Sequence, residues 1–230
     1  NFNTLRYTGA AGTITGNFTT NGLLHSGTGA LTLSGNVTIG SDRELVLTNG
    51  DSNAVRDMTF SGVISDAVTG SSGLTKAGLG AVTLSGANTY TGVTSLSRGR
   101  VILTSTGTLG SAAGGTRIGI SGRLTLAGGV TTAEPIYLDD LVNAFNGALA
   151  IDNVGTNTLT GAIRMSDSIR WQSSGTLNVT GGISTTNGSN GSFMVMQAGN
   201  LMNITGKPIA NGAGQLYMDN AGKTIALGVV

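Results

Sequence analysis

Gly73-Leu74-Thr75-Lys76-Ala77-Gly78-Leu79-Gly80-Ala81-Val82-Thr83-Leu84-Ser85-Gly86-Ala87-Asn88-Thr89-Tyr90-Thr91-Gly92 is the stretch whose reading decides the fold. Val82 and Leu84 alternate with small polar residues, the period-2 signature of a half-buried strand. Glycines bracket that strand on both sides, where a backbone turns sharply or takes a positive φ. Asn88-Thr89-Tyr90-Thr91-Gly92 reads as a turn into the next strand, Val93-Thr94-Ser95-Leu96. The unit gains weight because degraded copies of it run through the chain. Residues 22–35 align without gaps to 73–86, with nine of fourteen positions identical.

A looser pattern, Gly-x-(Leu/Val)-x-(aliphatic or Met), starts at Gly29, Gly80, Gly99, Gly122, Gly147, Gly175 and Gly214. Further strand candidates fill the longer gaps, so the underlying period is roughly 20–28 residues, the range of solenoid coils. A sandwich or barrel would favour tight hairpin turns and shorter spacing. The pattern therefore predicts an all-β chain, a single parallel β-helix segment over 1–230 with about ten rungs. The two aliphatics of each unit point inward, and Thr32, Thr83, Thr125 or Asn178 between them faces outward. Leu33 and Leu84 then fall in buried columns, each side chain contributing roughly 1.5–3 kcal/mol. Uncharged outward columns stack at about 4.8 Å without self-repulsion. One segment, 133–146, departs from the rule. Leu138, Leu141, Val142 and Phe145 have helical spacing, while Pro135-Ile136-Tyr137-Leu138 alternates like a strand. A loop or short helical excursion between rungs is expected there.

Composition agrees with this reading. Gly accounts for 39 of 230 residues, and Gly, Thr, Ser and Asn together make about half the chain. Hydrophobic residues at 39% demand burial, and charged residues at 10% are scarce for a soluble domain. A net charge of +1 gives no source of attraction to nucleic acid or anionic lipid. Without cysteine there is no disulfide, thiolate chemistry or Cys-based zinc site. No apolar run is long enough to cross a membrane as a helix, and the first residues lack the pattern of a signal peptide. Asn1 begins in mid-pattern, as a mature or excised segment would.

The stretch from Phe60 to Leu103 resembles the autotransporter-associated β-strand repeat, also called the passenger-associated transport repeat. Phe60-Ser61-Gly62-Val63-Ile64 matches its Phe-x-Gly-x-Ile segment. Gly73, Leu74, Lys76, Gly78, Gly80, Leu84, Ser85, Gly86, Asn88, Thr89, Tyr90 and Gly92 match its core motif, with Val82 in place of one Leu. Weaker echoes lie at 22–35, 122–128, 159–163 and 175–181, with His25 standing where Lys76 does. The resemblance implies a right-handed parallel β-helix in a bacterial surface or secreted passenger. In such proteins the repeat is associated with export and vectorial folding, not catalysis.

The remaining chemistry is thin. The acids are dispersed, and adjacent Asp139 and Asp140 would point to opposite faces of a strand, a poor acid/base pair. His25, the single histidine, is expected at a surface rung position. Gly78-x-Gly80 and Gly27-x-Gly29 lack the continuation of a phosphate loop. Trp171, between Arg170 and Gln172, is the candidate for an exposed sugar-stacking contact, and Met194 and Met196 are expected in the core. No catalytic residue, cofactor or metal site is expected. The reading is a non-enzymatic structural or adhesive module that self-associates or packs on neighbouring β-helix segments and meets host or matrix glycans or proteins. A subunit of an end-stacked extracellular filament and a polysaccharide-binding or -degrading β-helix are the alternatives.

Overall fold

Short period-2 segments cannot bury their apolar side chains alone, and the chain solves this by coiling so that each segment pairs with its counterpart one turn away. A computed structural model describes residues 1–50, 56–67, 70–138, 149–165, 169–185, 194–197, 201–205, 216–219 and 224–227. Among them the chain is all-β, without helix, and its strands pair in parallel as a β-solenoid.

Three columns of strands build it. The first runs through Phe2–Tyr7, the end of Phe18–His25, Glu44–Asn49, Gly73–Ala77, the starts of Thr94–Leu103 and Thr116–Ala127, then Ile136–Leu138, Ile163–Met165 and Ile183–Thr185. The second runs through Gly12–Ile14, Leu31–Leu33, Met58–Phe60, Ala81–Leu84 and the ends of the two long strands. It continues through Leu149–Val154, Ile169–Ser173, Met194–Gln197 and Leu216–Asp219. The third begins with the start of Phe18–His25, Val37–Ile39 and Ile64–Ser65. It closes with Thr131–Thr132, Asn157–Leu159, Thr176–Val179, Leu201–Ile204 and Thr224–Leu227.

The core lies along the axis. Leu33, Phe60, Leu84, Leu103 and Leu126 are register partners from turn to turn, and all are buried. Leu31, Met58, Val82, Val101, Leu124, Ile151 and Trp171 form a second buried column beside them. Thr32, Thr59 and Thr83 stack between these two, as the alternation requires. Asn178 does not belong to that polar column. It lies on the third, between Thr158 and Asn203, where Asn203 Nδ2 donates to Asn178 Oδ1 at 2.8 Å.

Two details sharpen the sequence reading. The Ser-Gly turns at Gly35, Gly62 and Gly86 do not need a positive φ. A Cβ on Gly86 would run into the Gly62 carbonyl oxygen, and one on Gly62 into that of Gly35, so close approach of successive turns imposes the glycine. The echoes also occupy different places. Residues 80–86 and 122–128 start on the second column, whereas the strands of 159–163 and 175–181 begin on the third. Of the segment 133–146, Ile136–Leu138 is a rung strand paired to Thr116–Ala127 and Ile163–Met165; residues 139–146 lie outside the described residues.

Candidate functional site

The polar side chains with most to explain lie inside the solenoid. Lys76 alternates inward with Leu74 on the strand Gly73–Ala77 and is 0% exposed. Its Nζ donates to Ala77 O at 2.7 Å, Gly78 O at 2.9 Å and Arg98 O at 3.1 Å, which uses all three ammonium hydrogens. Two of those carbonyls belong to its own corner and one to the next turn, so a single side chain closes a turn and ties two rungs. Gly78 and Gly99 both adopt positive φ here, and a Cβ on Gly99 would meet the Lys76 ammonium. Burial lowers the Lys76 pKa to about 8, against the opposing charge of Asp57. Lys76 is register-paired with Leu47, and Leu47 with Leu23, so the alignment of His25 with Lys76 is not a stacking relation. The two residues nonetheless do similar work. His25 is 1% exposed, not on the surface, with Nε2 bonded to Gly29 O at 2.6 Å and Nδ1 accepting the Gly27 N–H at 3.3 Å.

The Asn88-Thr89-Tyr90 tail of the motif pins three turns together. Asn88 Oδ1 accepts the Ile64 N–H at 2.8 Å from the turn before, and its Nδ2 donates to Thr108 O at 2.7 Å in the turn after. Tyr90 is buried, its hydroxyl 2.6 Å from Thr94 Oγ1, and Thr94 Oγ1 donates to Leu109 O at 2.8 Å. Because Thr94 spends its proton on that carbonyl, Tyr90 is the donor between the two hydroxyls. Thr116, the register partner of Thr94, donates to Glu134 Oε1 at 3.0 Å. Burial raises the Glu134 pKa to about 7, opposed by the Thr116 hydrogen bond. Burial also pushes the Tyr90 phenol well above its ordinary value; the Thr94 hydrogen bond opposes this and the Glu134 charge reinforces it. On the outside, Asp66 accepts the Thr91 and Ser72 N–H groups and the Thr91 hydroxyl. Burial would raise its pKa, but these hydrogen bonds outweigh it and leave the carboxyl below its ordinary value.

Further along, at the corner from the second column to the third, a neutral network does comparable work. Asn157 Nδ2 donates to Asn153 Oδ1 at 2.7 Å and Val154 O at 3.0 Å, and its Oδ1 accepts the Val130 N–H at 2.9 Å. Asn153 Nδ2 reaches Ser173 Oγ at 2.8 Å, and Ser173 Oγ donates to Gly175 O at 2.9 Å.

Sequence reasoning missed Glu134, Asp66, Asn153 and Asn157, each isolated in the chain and assembled by stacking. The spacing of Thr94 and Thr116 by about one turn was the available signal. Trp171, the candidate for a sugar-stacking contact, is 1% exposed in the column between Ile151 and Met196. At that burial no face of the indole is open to a sugar ring. Asp139 and Asp140 lie outside the described residues, as do the side chains of Met194 and Met196. Among the described residues, no group of three or more His, Cys, Asp or Glu is placed to hold a metal ion, and no helix is long and apolar enough to cross a membrane.

Fold and interior together define a repeat protein of the β-solenoid class, in which polar side chains are spent on bonds between turns. Residues 74–103, which carry Lys76, Asn88 and Tyr90, match the model of the passenger-associated-transport repeat. No curated protein and no solved structure matches the chain.

Proposed function

We propose that this chain is a non-enzymatic segment of an autotransporter-type passenger, a surface or secreted scaffold that spans distance and presents its outer loops and ladders. The observation that carries this reading is the use of the repeat's own polar residues. Lys76, Asn88 and Tyr90 are all buried and saturated by backbone or hydroxyl partners, so the best-preserved residues cement the turns and are not presented to a substrate. Dense backbone pairing of this kind resists proteolysis, because cleavage needs local opening of several turns. A chain that folds turn by turn on the template of the preceding turn also suits delivery in extended form across a membrane.

The test is to fuse the chain between a secretion signal and an outer-membrane barrel and score surface display by antibody on intact cells. Display of the wild type, with sharply reduced display when Asn88→Ala and Tyr90→Ala are combined, supports the reading. Retention of the wild type inside the cell, or turnover of pectin or alginate by the purified chain, overturns it. Electron microscopy of the purified chain separates single rods, expected for a passenger segment, from fibres of end-stacked subunits.

A further inference from the structure

A groove of about 350 Å³ runs across the second column, and Asp57, Leu79, Arg100, Ile120, Arg123 and Leu149 are among its lining residues. Arg100 and Arg123 are direct register partners on adjacent turns, which sets their backbones about 4.8 Å apart. Like charges opposite one another destabilise a sheet. In a chain with only 10% charged residues, the charged side chains on the other described strands are register-paired with uncharged ones, as Arg117 and Arg164 are with Tyr137, so this pair departs from the pattern of the fold. Neither guanidinium has a hydrogen bond or ion pair among the described residues. The acid in the groove, Asp57, is committed through Oδ1 to the Ala81 N–H at 2.9 Å, and its carboxylate leaves acceptor capacity facing outward. Ile120 stands 50% exposed beside the pair, an unusual cost for an aliphatic side chain on this surface.

We infer that this groove binds a carboxylated sugar unit of an acidic glycan. Two adjacent guanidinium forks match a carboxylate with planar, charge-assisted hydrogen bonds. The exposed Ile120 and the half-buried Leu79 and Leu149 match the apolar face of a pyranose ring, and the Asp57 carboxylate accepts from ring hydroxyls. An inorganic anion meets the same repulsion from Asp57 as the sugar's carboxylate, but brings no ring face for the aliphatics to cover. Nucleic acid would ask for a longer basic track than two arginines in a chain of net charge +1. The inference is independent of where the protein resides, since it concerns the purified chain alone.

The experiment is calorimetric titration of the full chain at low salt with trigalacturonate and with sialyllactose. Controls are the methyl ester of trigalacturonate, inorganic phosphate and a short single-stranded oligonucleotide. Binding of at least one acidic sugar is expected, weakened about tenfold or more by Arg100→Ala, by Arg123→Ala and by methyl esterification. Asp57→Asn should weaken it severalfold. Thermal melting of the free Arg123→Ala protein should be unchanged or raised, because like-charge stacking is relieved. Absence of binding by both sugars overturns the proposal. So do binding that survives both arginine substitutions, equal affinity for the ester, phosphate or the oligonucleotide, and a lowered melting temperature accompanying the loss of binding.

Discussion

The corner at Lys76 and the corner at Asn153 and Asn157 face the same problem with different chemistry. In each, the chain leaves one strand for the next inside a closed wall, and backbone carbonyls turn inward where water cannot reach them. At Lys76 one ammonium serves three carbonyls on two turns. At Asn153 and Asn157 two amides and the Ser173 hydroxyl divide similar work, and Asn157 also receives a backbone N–H. A cation has donors only, so it suits a corner made of carbonyls; an amide has both donors and acceptors, so it suits a corner that mixes them. The cation also carries a desolvation cost that the amides avoid, which offsets part of what its bonds contribute. The charged corner should therefore be the more replaceable of the two, and the one that senses pH.

The largest effect should come from Asn157→Leu, which strands the Val130 N–H and Asn153 Oδ1 together: about 3 kcal/mol lost in denaturant unfolding. Lys76→Met keeps the stem volume, removes the buried charge and strands only acceptors, so about 2 kcal/mol is expected at pH 7. A loss at Lys76 equal to or above that at Asn157 would break the comparison.

Proton linkage sharpens it. Lys76 is held at about 8 in the fold against 10.5 in the unfolded chain, so between those values the unfolded chain carries the extra proton. Stability should rise with pH across that window, by at most about 1.4 kcal/mol per pH unit, and Lys76→Met should abolish the rise. Glu134 works with the opposite slope. Its pKa is about 7 in the fold against 4.5 unfolded, so the fold holds the extra proton and stability falls as pH rises from 4.5 to 7. Glu134→Gln should flatten that limb, and the two groups together place a shallow minimum between pH 7 and 8. Melting temperatures across pH 4 to 11 read both limbs, and substitutions at Asn153 or Asn157 should change neither. The smallest effect is expected for Tyr90→Phe, about 1 kcal/mol for one buried hydroxyl bond, seen as faster amide exchange confined to the turns around Thr94 and Leu109.

Much of the fold was legible because side-chain alternation reports directly which residues face inward, and the repeat reports that like segments lie side by side. Leu33 and Leu84 stand in one buried column as that logic requires, with Phe60 between them. The interior polar groups were not legible in the same way. Lys76 and His25 alternate with apolar residues as if inward, yet their types argue for solvent, and only the carbonyls converging on each corner reverse that preference. Trp171 misled for the converse reason: polar neighbours in sequence, Arg170 and Gln172, sit on the other face of its strand.

By itself the sequence determined an all-β coil of parallel turns, because a period of two within strands and of one turn between them admits few other ways to bury the aliphatics. Only the tertiary structure decided which columns the echoes occupy, which polar side chains turn inward, and which two arginines meet. Those outcomes depend on the number of residues spent at each corner. A few residues more or fewer slide a segment to another column, and local patterning carries no record of that sum.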